Sequence, residues 1–208
     1  MNGTAHMAIG AGTGFVIASS MQTDFQTTLI LSGLGGLAAL MPDIDIDGKL
    51  SNRITFSHHF IRTLAQVIGF LMIMYSFFQG RGSEIWIGMG VGAAIIVFSA
   101  FIRQRHMLTM TGFGVLAGGI SLQENWLILL GVFIVIASFV PHRSYTHSLL
   151  GLGFFAVIAF QFEQAIGLDG AFLVSTAGYG SHLLADMKML PFNRRGVKYF
   201  LPFSSKEL

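Results

Sequence analysis

Eight stretches of this chain run for 14 to 18 residues without an Asp, Glu, Lys or Arg: Met7–Ser20, Thr27–Met41, Thr63–Gln79, Ile85–Ile102, Met107–Leu122, Trp126–Val140, Ser148–Phe162 and Gly170–Ala185. Helices built from such runs have no charged face to turn toward water, so the solvent around them must be lipid or other helices. Composition points the same way. Charged residues are 11% of the 208 and hydrophobic residues 53%, against about 25% charged in an average soluble protein. The mean hydropathy of +0.68 excludes a disordered chain, because disorder requires few apolar and aromatic residues. A net charge of only +2 argues against a nucleic-acid-binding domain, and no nucleic-acid partner is expected. Without cysteine there is no disulfide framework, thiolate metal site or cysteine nucleophile. The expected fold is all-α: a polytopic membrane bundle of about eight apolar helices forming one domain over residues 1–208.

A straight span needs about 20 residues at a rise of 1.5 Å each, so several runs are short. The first two are short enough to form a re-entrant hairpin, which returns the chain to the same side as two full spans would. The N-terminus has neither a basic n-region nor a small-residue cleavage site, so the first run is expected to be retained. Glycines four apart (Gly10 and Gly14, Gly88 and Gly92, Gly114 and Gly118) predict close helix packing.

Numbering the connections alternately sorts the charges. Lys49, Arg53, Arg62, Arg103, Arg105, Arg143, Lys188, Arg194, Arg195, Lys198 and Lys206 fall on one side, and only Arg81 on the other. That bias makes the crowded side cytoplasmic, with both termini. All seven histidines and the acids Asp43, Asp45, Asp47 and Asp186 lie on the same side.

Three clusters there can carry chemistry. In Met41-Pro-Asp-Ile-Asp-Ile-Asp47, Pro42 ends the second run and leaves an extended or turn segment. Alternate acids in an extended segment point one way, and their mutual repulsion calls for a cation. Taken alone, a solvated acidic loop and a metal site explain this cluster equally well. In Pro141-His-Arg-Ser-Tyr-Thr-His-Ser148, Arg143 offers a fork for phosphate or carboxylate, and Thr146 or Ser144 is placed to cap the following helix. His182 and Asp186 stand at i and i+4 on one helical face. That pair alone is better explained as an interfacial hydrogen bond. His58 and His59 diverge by about 100° on a helix, so at most one can join a site. His106, beside Arg103 and Arg105, reads as an interfacial anchor.

The ligand set expected from these clusters is His6, Asp43, Asp45, His142, His147, His182 and Asp186. Imidazole and carboxylate without thiolate suit zinc first, then manganese or ferrous iron, and seven ligands are enough for one to three ions. Arg143, Thr146 and Asp45 are the expected catalytic groups, with Arg143 or Arg53 binding an anionic substrate group. A membrane lipid is the substrate nearest to hand. The tail Pro191–Phe203, alternating aromatic and basic residues, is either an anchor on anionic lipid or a flap over the site.

At these residues the chain resembles the YdjM-like family of bacterial membrane-bound metal-dependent hydrolases, which includes LexA-regulated inner-membrane proteins. The matching elements are Thr4-Ala5-His6, Pro42-Asp43-Ile44-Asp45, His142-Arg143-Ser144-Tyr145-Thr146-His147-Ser148, His182 with Asp186, and Gly196-Val197 with Pro202-Phe203. They occur in family order across nearly the whole chain, and the His-Arg-x-x-Thr-His-Ser element is the specific one. Three positions depart from the pattern: Ile46-Asp47 replaces His-Pro, Ser144 replaces glycine, and Met189 replaces threonine. The resemblance implies an inner-membrane hydrolase with distant kinship to zinc-dependent phospholipase C and nuclease enzymes. Two other functions compete with that reading. A transporter normally carries ionisable groups near the bilayer midplane, and no run has one near its centre. A non-catalytic scaffold would use a metal only to staple its loops.

Overall fold

The computed structural model describes residues 3–44, 57–79, 81–141, 143–188 and 196–207. Among them there are eight α-helices and no strand. These are α1 (Gly3–Ser20), α2 (Phe25–Ala38), α3 (His58–Gln79), α4 (Ser83–Ser99), α5 (Gln104–Leu122), α6 (Asn125–Ala137), α7 (Leu149–Ile166) and α8 (Ala171–Ala185), with 3-10 turns at Met41–Ile44 and Tyr145–His147. The chain divides into two compact units, one of Met1–Arg53 with Leu108–Leu208 and one of Ile54–Met107.

Of the described helices, α3 and α7 are each long and apolar enough to cross a membrane. At 1.5 Å per residue α3 is about 33 Å long, whereas the 14-residue α2 reaches only about 21 Å. Large apolar side chains cover the outside: Phe25, Phe78, Trp86, Phe98 and Phe113 are all more than half exposed. A water-soluble chain could not keep so much aromatic surface uncovered, and lipid is the solvent that accepts it.

Within the larger unit, α1 and α2 form an antiparallel hairpin that packs against α8, with α7 beside α8 and α6 beside α7. Helix backbones touch where side chains are missing. A Cβ on Gly35 would lie 2.6 Å from the Gly10 carbonyl oxygen and 3.2 Å from the Gly14 Cα. A Cβ on Gly178 would strike the Gly35 carbonyl itself. Gly10 and Gly14 therefore behave as their spacing predicts. In the smaller unit Gly92 meets the Gly69 carbonyl, and Gly88 abuts the Ser76 hydroxyl. The prediction for Gly114 and Gly118 fails, because a Cβ on either meets nothing within 4 Å. In α5 the close contacts instead fall at Gly112, against Val135, and Gly119, against Ile128. Seven residues separate these two, so they lie on one face of the helix, and the sequence there contains glycines on more than one face.

Local signals set the helix ends. Asp24 caps α2, its carboxylate accepting from the Gln26 and Thr27 amides at 2.9 and 3.1 Å. Ser148, rather than Thr146 or Ser144, caps α7 by accepting from the Gly151 amide at 3.3 Å. Thr146 and Ser144 lie too far upstream, because the Tyr145–His147 turn intervenes. Ser148→Ala is expected to cost about 1 kcal/mol, read as an earlier midpoint in unfolding by a denaturing detergent; an unchanged midpoint counts against the cap.

Candidate metal centre

Residues from four parts of the larger unit meet at one point. His6 comes from the start of α1, Asp43 from the 3-10 turn after α2, His147 from the turn before α7, and His182 with Asp186 from the end of α8. All five are buried, and His147 and His182 are wholly enclosed. The segment after α2 is not extended over its described part. It coils into Met41–Ile44, where Pro42 and Ile44 enter the core and aim Asp43 inward.

Two trios of ligand-type atoms result. His6, His182 and Asp186 form one, and Asp43, His147 and His182 the other, with the ligand atoms of each trio all within 4.8 Å of one another. In the first, His6 Nε2 is 3.3 Å from Asp186 Oδ1 and His182 Nε2 is 3.7 Å from Asp186 Oδ2. The His6 ring stacks on that of His182, with centroids 3.9 Å apart. In the second, His147 Nε2 is 3.2 Å from His182 Nε2, and Asp43 Oδ1 is 3.5 and 3.7 Å from those two nitrogens.

Hydrogen bonds behind the rings fix how they face. His182 Nδ1 is 2.7 Å from the Ala39 carbonyl oxygen. A carbonyl only accepts, so the proton sits on Nδ1 and Nε2 presents its lone pair to the centre. His147 Nδ1 is 3.2 Å from the Thr146 hydroxyl. A hydroxyl can donate or accept, so this contact fits a His147 ring that either donates through Nε2 to His182 Nε2 at 3.2 Å or, with its proton on Nδ1, turns a second lone pair toward a cation between the two rings. Two ligands held 2.0–2.1 Å from a tetrahedral zinc are about 3.3 Å apart. The 3.2, 3.5 and 3.7 Å edges of the second trio match that spacing. Among the described residues two carboxylates and one arginine meet at the cluster, a balance that a divalent cation would complement. The residues fit such an ion.

Arg143 borders the cluster, its Nη2 donating to Asp186 Oδ2 at 3.3 Å, and its side chain is 25% exposed. Its φ of +60° is in the left-handed region that side chains seldom occupy. Burial alone would raise the Asp186 pKa, but its contacts with His6, His182 and Arg143 hold it below the usual carboxylate range.

Two tyrosines that the sequence motifs do not include buttress the site. Tyr179 donates its hydroxyl to the Thr146 carbonyl, bracing the turn that carries His147. Its one signal is its position three residues before His182, on the same helical face. Tyr199 donates to the Leu183 carbonyl at 2.6 Å, and the Leu149 amide donates to the Tyr199 carbonyl at 3.0 Å. Burial, with the Asp186 charge, pushes the Tyr199 phenol up to about 12, so it remains a donor. With Val197 fully buried, this part of the tail is a strap in the core rather than a surface anchor.

Of the remaining sequence candidates, Asp45, His142 and Arg53 lie outside the described residues. His58 bonds through Nδ1 to Gln104 Oε1 at 2.8 Å and its ring lies against that of His59, within the smaller unit. His106 Nδ1 accepts from the Arg103 amide at 3.0 Å, a helix-end role in keeping with an anchor.

An all-helical fold with an apolar exterior and a buried histidine–aspartate cluster defines an integral membrane protein with metal-ligand character. The chain belongs to the YdjM inner membrane protein family, whose family model matches residues 1–208. Neither the curated proteins nor the solved structures give a significant match.

Proposed function

We propose that the chain is an inner-membrane, metal-dependent hydrolase whose cluster faces the cytoplasm and whose substrate is a phosphoester, such as a lipid head group. The observation that supports this most is the pair of trios joined through His182, set beside a partly exposed arginine. A divalent ion there would supply Lewis-acid chemistry toward a phosphoryl oxygen and a water molecule. His6, His182 and Asp186 would hold an ion at one seat, and Asp43, His147 and His182 at the other. Arg143 is the cation that receives the anionic phosphoryl group, and its guanidinium geometry matches two oxygens at once. Thr146 keeps the His147 ring turned inward. The positive-inside bias of the connections supports the cytoplasmic placement.

The test is turnover by the purified protein, in detergent or nanodiscs, on phosphodiesters and phospholipids. Chelation should abolish activity, and zinc or manganese should restore it. Arg143→Ala should lower kcat/KM by about 100-fold, the scale of losing one preorganised charge. A metal-replete protein that turns over nothing on the panel overturns the proposal.

Enclosure of His147 and His182 favours one other reading, a metal staple with every coordination position filled by protein. Water exchange distinguishes the two. A paramagnetic manganese-loaded protein that relaxes bulk water strongly has an open position, and one that does not is stapled.

A further inference from the structure

Between α6 and α7 lies a cavity of about 500 Å³ with almost wholly apolar walls, within the roughly 300–1,000 Å³ typical of ligand pockets. Its rim includes Ile136, Leu150 and Val157, each at least half exposed, and its inner lining includes buried Phe133 and Thr146. Thr146 is the link to the metal centre, since its hydroxyl is 3.2 Å from His147 Nδ1. The groove therefore has an exposed apolar rim on one flank and lies one residue from the ligand cluster at the other.

We propose that this groove seats one acyl chain of a phosphate-headgroup lipid, presenting the head group to the histidine–aspartate cluster. The occupant is an acyl chain because the lining offers almost no hydrogen-bonding partner, and the turn that lines its inner end carries the partly exposed Arg143, three residues before Thr146, for a phosphate. The catalytic meaning of the groove rests on the hydrolase reading; occupancy by the chain does not.

Gly153 gives direct access to a test. It lines the groove, yet a Cβ built on it meets nothing within 4 Å, so a larger side chain there enters the groove instead of the packed core. Its neighbour Gly151 has no such room, because a Cβ there strikes the Tyr145 carbonyl. The experiment uses phosphatidic acid carrying a photoreactive diazirine in one acyl chain, in nanodiscs holding the wild type, Gly153→Trp or the smaller Gly153→Leu. Adducts are mapped by mass spectrometry of peptides. In the variants, adducts at Leu150 and Phe154 should fall by about tenfold, the change that 1.4 kcal/mol of lost binding produces. Adducts at Leu173 and Leu184, exposed on α8 outside the groove, should persist. Equal groove labelling in wild type and variants overturns the proposal. So does a wild type labelled at Leu173 but not at Leu150 or Phe154, which points instead to a second copy of the chain covering the groove. Labelling that depends on Gly153, without turnover, keeps the lipid seat and removes the hydrolase. Turnover with labelling insensitive to Gly153 does the reverse.

Discussion

Replacing His182 by alanine is expected to strip metal from the protein altogether, whereas Asp43→Ala or His6→Ala leaves one trio of ligands intact. The difference follows from connectivity. His182 belongs to both trios, but Asp43 and His6 belong to one each. Loss of the His182 ring also leaves the buried Ala39 carbonyl without its partner, a cost of about 1–3 kcal/mol. Elemental analysis of purified, membrane-inserted protein measures the effect. Wild-type metal content in His182→Ala would falsify the assignment of the centre. Equal, complete loss in all three variants would show instead that the two trios act as one inseparable site.

A second large effect is expected far from any ligand, at Gly178. Its missing side chain lets α8 lie directly on the Gly35 carbonyl of α2; a Cβ at position 178 would stand only 3.0 and 3.1 Å from the Gly35 carbonyl carbon and Cα. Those are backbone atoms and cannot swing aside, so Gly178→Ala should destabilise by about 1–3 kcal/mol or more. The damage should reach the metal centre as well. Four residues on in each segment, His182 is bonded to Ala39, so separating the two helices pulls this ring off its carbonyl. Gly180→Ala is the control, because a Cβ there meets nothing within 4 Å. Higher helix propensity should make it neutral or slightly stabilising. Coincident unfolding midpoints and metal contents for the two variants would refute the packing argument.

Much of the centre was legible from local spacing. His182 and Asp186 are one helical turn apart, and Pro42 beside Asp43 marks the end of an apolar run. The partners that orient these ligands were not legible, because distant segments supply them. The Ala39 carbonyl lies 143 residues from the ring it fixes, and a backbone oxygen has no side-chain signature. Likewise nothing local tells Gly178, which carries a helix crossing, from Gly180, which carries none; the choice depends on where α2 lies. Ser148 displaced Thr146 as the helix cap because the intervening 3-10 turn takes up three residues that periodicity alone cannot assign. The helical class and membrane character were more secure, since they depend on the absence of charge over whole runs rather than on any one contact.

The proton held on His182 Nδ1 limits how the centre fills. With that nitrogen committed to Ala39, the ring has a single electron pair to give, and both trios require it. An ion settling in one trio would therefore withdraw a ligand from the other, and the two seats would fill anticooperatively. A zinc titration of the wild type should show a tight first step and a markedly weaker second.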